Sequence, residues 1–238
     1  MKAQQQTPSR PAAEAAERAQ PKPGSKGART RLRILDAARE VFEERGYLET
    51  RVVDIASRAG IAIGGYYSYF NSKDEIFLTL VSNFYEEIKP PPSKGSTPTN
   101  PIARIDEVNG YYIDFYRENA KMIGLIESVM TFDDDVRTLR MKRRRTIHEL
   151  SGRNIAHMQE LGLVFKDLDP YMTAEALTSM VVNFLYTWLV LGEPMTIGGE
   201  PATDDVVRRH LTSLWTRALG LDHSTAVPDE HAVKPGGR

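Results

Sequence analysis

The amino-acid sequence predicts an all-α protein, and three observations carry that prediction. Apolar residues recur at helical spacing in almost every segment between positions 28 and 219. Capping residues stand ahead of these segments and glycines just behind them, as with Thr50 and Gly60, or Asp169-Pro170 and Gly192. No stretch alternates apolar and polar residues as a half-buried strand would.

Composition bounds the rest. The 238 residues have room for one large or two small domains, and 41% apolar content supports a sizeable core. There is no cysteine, which excludes disulfides, thiolate metal sites and cysteine nucleophiles. No run approaches about 20 apolar residues, so no membrane span is expected. Residues 1–27 are Ala, Gln, Pro and charge without the apolar centre of a signal peptide. They are expected to form a disordered basic tail, and the cytoplasm is the expected compartment.

The first helix is expected at 28–48, where Ile34, Leu35, Ala38, Val41 and Phe42 form one apolar stripe and Gly46 ends it. Thr50 is expected to cap the next helix, which carries Val52, Val53, Ile55, Ala56 and Ala59. Gly60 stops that helix by entering the left-handed region without a Cβ penalty. A further helix spans 62–70, with Tyr66 and Phe70 inward and Tyr67, Ser68 and Tyr69 outward. Ser72 and Glu75 then read as a capping box opening a fourth helix.

Two short helices joined at Gly60 form a helix-turn-helix, whose second helix can lie in a DNA major groove. The same geometry occurs in helical proteins that never meet DNA. The outward face of 62–70 separates the two readings. A solvated face carries Lys, Glu and Gln, whereas this one offers tyrosines, a serine and the adjacent Gly64 and Gly65. Each helical glycine costs about 1 kcal/mol against alanine. Close approach of a phosphate chain to the backbone gives such glycines a reason.

Residues 33–77, RILDAAREVFEERGYLETRVVDIASRAGIAIGGYYSYFNSKDEIF, resemble the N-terminal domain of the tetracycline-repressor (TetR) family of bacterial transcription regulators. The resemblance includes the turn, the Tyr67-x-Tyr69-Phe70 signature and the Ser72-Lys73 that follows. It implies a DNA-binding role for Thr50 at a phosphate, for Ala62, Ile63, Gly64 and Gly65 at the groove end of the recognition helix, and for Tyr67, Ser68 and Tyr69 beside them. It implies a phosphate contact for Lys73 as well. The family often has Ser or Thr in place of Ala62 and a polar or basic residue in place of Ile63. Direct readout here would therefore lean on apolar contact with thymine methyls.

Charge is consistent with one DNA-gripping end. The net charge is −1, but residues 1–33 carry eight Lys or Arg against two Glu, while residues 76–238 are net acidic. Arg29 and Arg31 are the expected phosphate contacts of this segment.

Beyond Ile88, residues 89–101 (KPPPSKGSTPTNP) read as a linker or long loop. Helices are then expected at 102–118, 120–130, from Asp133 to about Leu161, 169–191 and 204–219, followed by a polar tail. The helix at about 170–191 is apolar almost all round, and the last adds Val206, Val207, Leu211, Leu214, Trp215 and Leu219. Such surface must be buried, either in a monomer core or against a second copy. The resemblance implies a homodimer through these last two helices.

The middle helices supply a candidate ligand-binding set: Tyr112, Phe115, Tyr116, Met122, Met130, Asn154, His157, Met158, Asn183, Phe184 and Trp188. As a set they predict a small, largely apolar or aromatic effector. The basic run Arg140, Lys142, Arg143, Arg144, Arg145 reads as a solvated face pairing with Asp133–Asp135 or Glu149. An anionic ligand is the lesser alternative.

The expected organisation is therefore a tail (1–27), a three-helix helix-turn-helix DNA-binding domain (28–75), a helical ligand-binding and dimerisation domain (76–222) and a second tail (223–238). The expected function is a ligand-responsive repressor on a near-palindromic operator, needing no cofactor or metal. The rival is a helical enzyme or small-molecule-binding protein whose N-terminal helices do not read DNA. For catalysis the sequence offers little. His148 and His157 are not on one helix face, and no hydrolase, zinc-peptidase, phosphate-loop or dinucleotide motif occurs.

Overall fold

Ser25 opens the first helix of the computed structural model, which describes residues 24–89 and 100–221. Its hydroxyl accepts from the Ala28 amide at 3.2 Å, starting α1 (Lys26–Glu49) two residues ahead of expectation. Residues 1–23 of the expected N-terminal tail, the expected C-terminal tail and most of the 89–101 linker lie outside the described residues. The chain forms two compact units. One runs through Glu86 and includes Leu125–Arg140, and the other comprises Glu87–Gly124 and the residues from Met141 onward.

In the first unit, Ile34, Leu35, Ala38, Val41 and Phe42 are all buried on α1. Gly46 breaks the helix with φ 77° and ψ 168°, and the chain then runs helically to Glu49. The break turns Tyr47 inward, where its ring meets Phe42 at 5.8 Å and Phe77 at 4.9 Å. Thr50 does not cap the next helix. It is buried and donates its hydroxyl to the Gly46 carbonyl at 2.7 Å, closing the end of α1.

The cap of α2 (Val52–Arg58) falls on Arg51, whose amide donates to the Asp54 carboxylate at 3.1 Å. Asp54 also pairs with Arg45 on α1 at 2.9 Å. Arg58 reaches back to Glu40 and Glu44 at 2.9 and 2.6 Å, tying the far end of α2 to α1. Gly60, at φ 65°, makes the turn, and the Ile61 amide returns to the Ala56 carbonyl at 3.0 Å.

Helix α3 is short, Ile63–Tyr67 with Ala62 as its cap, and the chain turns through Ser68 and Tyr69 to Phe70. Ser72 opens α4 (Lys73–Glu87), its oxygen accepting from the Glu75 amide at 3.0 Å. The Glu75 carboxylate accepts from the amide and side chain of Asn71, at 2.7 and 2.8 Å, so only half the expected box forms.

In the second unit, Asn100 caps α5 (Pro101–Glu118). Helix α6 (Ala120–Val129) passes from this unit into the first at Leu125, and α7 (Asp134–Glu160), which Asp133 opens by accepting from the Val136 amide at 2.9 Å, returns to it at Met141. Asp169 caps α8 (Pro170–Leu185). The expected helix to Leu191 is continuous, but its last turn, Tyr186–Val190, widens to π geometry.

A two-residue-per-strand hairpin, Thr196–Ile197 with Glu200–Pro201, follows, turned by Gly198 and Gly199 at positive φ. It is too short to show as an alternating pattern. Thr203 then caps α9 (Asp204–Leu219). Ile155, Met158, Val164, Ala174, Leu219 and Leu221 bury one another, with Ile105, Leu177 and Trp215 packed on them. Between α5 and α9 a polar link completes the packing. Asn109 donates to Thr212 at 3.1 Å, Thr212 to Asp106 at 3.1 Å, and Asp106 pairs with Arg208.

Candidate nucleic-acid interface and effector cavity

The orientation of α3 follows from two fully buried rings. Tyr66 and Phe70 have no exposed surface, and their centroids lie 5.9 Å apart. Burial pushes the Tyr66 hydroxyl pKa upward, so it stays protonated and donates to the Ser72 carbonyl at 2.8 Å. With that face anchored, Ala62, Ile63, Gly64, Tyr67 and Ser68 are exposed together, Gly65 and Tyr69 less so. A Cβ built on Gly64 would meet nothing within 4 Å. The exposed face thus carries one glycine, Gly64, that no packing within the protein requires, while a Cβ on Gly65 would meet Ile61 at 3.8 Å.

The surrounding candidates separate. Arg29 is exposed on α1. Arg31 is half-buried, its guanidinium 4.8 Å above the Phe70 ring. Burial lowers its pKa, with the Glu75 charge acting the other way. Thr50 is 2% exposed with its hydroxyl committed to Gly46, which leaves it no free donor for a phosphate. Lys73 is half-buried: its Nζ donates to the carbonyls of Tyr47 and Leu48 at 2.8 and 3.4 Å and lies 4.4 Å above the Tyr47 ring. It closes the C-terminal end of α1.

The second unit holds a cavity of about 330 Å³ between α5, α7, α8 and α9. Of the expected ligand set, Tyr112, Asn154, His157 and Met158 line it. Phe115, Tyr116, Met122, Met130, Asn183, Phe184 and Trp188 do not. Tyr116 and Met122 are buried in packing, and Asn183 is exposed. Phe115 stacks on Tyr111, whereas Phe184 packs against Trp188, on whose ring the Arg117 guanidinium sits at 5.3 Å.

Sequence reasoning missed most of the lining. Ile105 and Val108, on the apolar stripe of α5, face the cavity, as do Trp215 and Arg143. The signal for Arg143 was available: Arg143, Ile147, Leu150, Asn154 and Met158 recur at three and four residues along α7 and all line the cavity. Its neighbours do belong to pairs, though with other acids than expected. Arg140 pairs with Glu127 at 2.6 Å and Arg144 with Glu175 at 2.6 Å. Among the described residues no group of His, Asp and Glu is placed to hold a metal ion, and no helix is long and apolar enough to cross a membrane.

Known proteins match this arrangement. Residues 34–80 match the model of the bacterial regulatory proteins of the tetR family. The HTH-type transcriptional regulator TtgR of Pseudomonas putida is 24% identical over 181 residues, spanning 72% of this chain and 85% of TtgR. The regulator YdgC of Bacillus subtilis is 24% identical over 188 residues, spanning 74% of this chain and 90% of YdgC. Among solved structures, the SmeT–triclosan complex superposes with a TM-score of 0.63 at 21% identity, covering 88% of this chain and 100% of that one. SmeT is the repressor of the Stenotrophomonas maltophilia multidrug efflux pump SmeDEF. On the helix-turn-helix geometry and these matches together, the chain belongs to the tetR family of bacterial transcription regulators, which are not enzymes.

Proposed function

We propose that the protein is a ligand-responsive repressor that binds a near-palindromic operator as a homodimer and releases it when a small, largely apolar effector enters the cavity of the second unit. The observation that carries the DNA half is the exposed face of α3. Ala62, Ile63, Gly64, Tyr67 and Ser68 lie on it without a charged side chain, and Gly64 has open space where a Cβ would stand. Bare backbone beside aromatic side chains suits a groove whose walls are phosphate and sugar. Arg29 and Arg31 on α1 are the proposed phosphate contacts.

The dimer half rests on α8 and α9. Met172 is 74% exposed, and Tyr171 and Leu214 are exposed beside it in sequence or on the partner helix. A second copy of the same pair of helices would cover such surface. SmeT, a protein of the same fold, is solved in complex with triclosan, which supports the reading of a small-molecule effector.

The test is Gly64→Ala, measured two ways. Alanine in an open helical position stabilises the fold by about 0.5–1 kcal/mol. If DNA backbone approaches there, the same methyl weakens binding to a duplex selected from a randomised library. A variant that melts higher and binds that duplex as tightly as wild type would remove α3 from the interface.

A further inference from the structure

The cavity has a charge character that its apolar composition conceals. Among the described residues no Asp or Glu lines it, whereas Arg104, Arg143 and His157 do. Two of these three have carboxylates of their own: Arg104 pairs with Glu107 at 2.7 Å, and His157 lies 3.4 Å from Glu160. Arg143 has none among the described residues. Its one hydrogen bond runs from Nη2 to the neutral Ile88 carbonyl at 2.9 Å, and its Nε is buried without a partner. The indole Nε1 of Trp215, on the same cavity, is also buried without a partner. A half-buried guanidinium with no counter-ion is costly, and a bound anion removes that cost.

The rest of the wall describes the body of the ligand. Ile105, Val108, Ile147, Leu150, Val181 and Leu219 are flexible or branched aliphatics, and among the described residues aromatic rings come from Tyr112, Trp215 and His157 alone. The aromatic residues that would clasp a flat ring system, Phe115, Phe184 and Trp188, lie elsewhere. The volume of about 330 Å³ is at the small end of ligand sites. Burial pushes the Tyr112 hydroxyl pKa upward, against the opposing charge of Arg143, so it stands as a neutral donor beside the cation.

We infer that the cavity binds an alkyl carboxylate of medium length, its carboxylate on the Arg143 guanidinium and its hydrocarbon among the aliphatic side chains of α5, α7, α8 and α9. A single uncompensated cation matches a monoanion, and the planar guanidinium fork matches a carboxylate. The inference rests on the reading of this cavity as the effector site, and it narrows the effector from any apolar molecule to an amphipathic acid.

The experiment is calorimetric titration of the full chain with decanoate, below its micellar concentration, and with 1-decanol as the neutral match. Decanoate is expected to bind at least about tenfold more tightly than the alcohol. Arg143→Gln should weaken decanoate about 10- to 100-fold and leave decanol within about twofold. Equal affinities of wild type for acid and alcohol would overturn the inference, as would failure of decanoate to bind; neither depends on how the variant folds. Operator binding is measured in parallel. Arg143-dependent decanoate binding that leaves operator affinity unchanged would uphold the carboxylate site while removing its regulatory role. Operator binding without decanoate binding would overturn the carboxylate site and leave the repressor reading standing.

Discussion

Tyr67 and Phe70 are three residues apart and have opposite fates, because α3 has one anchored face and one free one. Phe70 has no exposed surface, so Phe70→Ala removes a packed ring and should cost about 3–5 kcal/mol of stability. Tyr67 is 49% exposed, and Tyr67→Ala should melt within a few degrees of wild type while losing operator affinity. Thermal melts followed by circular dichroism decide this, and comparable early melting of both variants would mean that α3 is facing the wrong way. Lys73 is a different case. Its Nζ holds the carbonyls of Tyr47 and Leu48, so Lys73→Ala should destabilise the fold by about 1 kcal/mol before any effect on DNA. A flattening of the log–log salt dependence of operator binding by about 0.9 per subunit would show that the same ammonium also meets a phosphate. An unchanged slope would leave it a purely structural contact.

At the scale of elements, the N-terminal unit depends on how α1 ends. Gly46 sits at φ 77° and ψ 168°, a region open to glycine and almost closed to other residues. The bend there delivers Tyr47 to Phe42 and Phe77, Thr50 to the Gly46 carbonyl, and the carbonyls of Tyr47 and Leu48 to Lys73. Gly46→Ala has free space for its methyl but not for its backbone. It should lose about 1–3 kcal/mol in chemical denaturation, with the loss arising from strain rather than a clash. Stability equal to wild type would show that α1 can end another way. Gly60 serves the neighbouring turn on the same principle, so two glycines at positive φ set the path from α1 through α3.

At the scale of the whole molecule, the proposed function requires the coupling of two events that single residues cannot explain. A ligand weakens DNA binding only if it favours a conformation that holds DNA less well, and the coupling in such proteins is about 1–3 kcal/mol, or roughly 5- to 150-fold. Linkage then requires operator DNA to weaken effector binding by the same factor. Calorimetry of the effector with and without operator measures it, and equal affinities in the two titrations would mark the molecule as a passenger. The proposed dimer through α8 and α9 would add a concentration dependence. Tm should rise with protein concentration, and Met172→Lys, which places a charge on a side chain 74% exposed in the single chain, should lower the sedimentation mass without unfolding the protomer. A mass unchanged by that variant would move the interface elsewhere.

The helices, their stops and the helix-turn-helix were legible in the sequence, because local physics decides them. Apolar spacing sets which face of α1 is buried, Gly60 sets the turn, and two aromatic residues one turn apart set which side of α3 faces inward. The tertiary structure decided what depended on partners distant in the chain. Thr50 and Arg51 exchange the capping role because the break at Gly46 brings a carbonyl to the threonine hydroxyl. Lys73 is drawn to a helix end about 25 residues earlier. Apolar periodicity marks a face as shielded from water but cannot say whether protein or a cavity shields it. That is why Ile105 and Val108, on one apolar helix stripe, line a cavity, while Phe184 and Trp188 read as cavity and pack on each other. Arg143 shows the same limit in charge: one member of a basic run is indistinguishable from its neighbours until the fold gives Arg140 and Arg144 their carboxylates and leaves it without one.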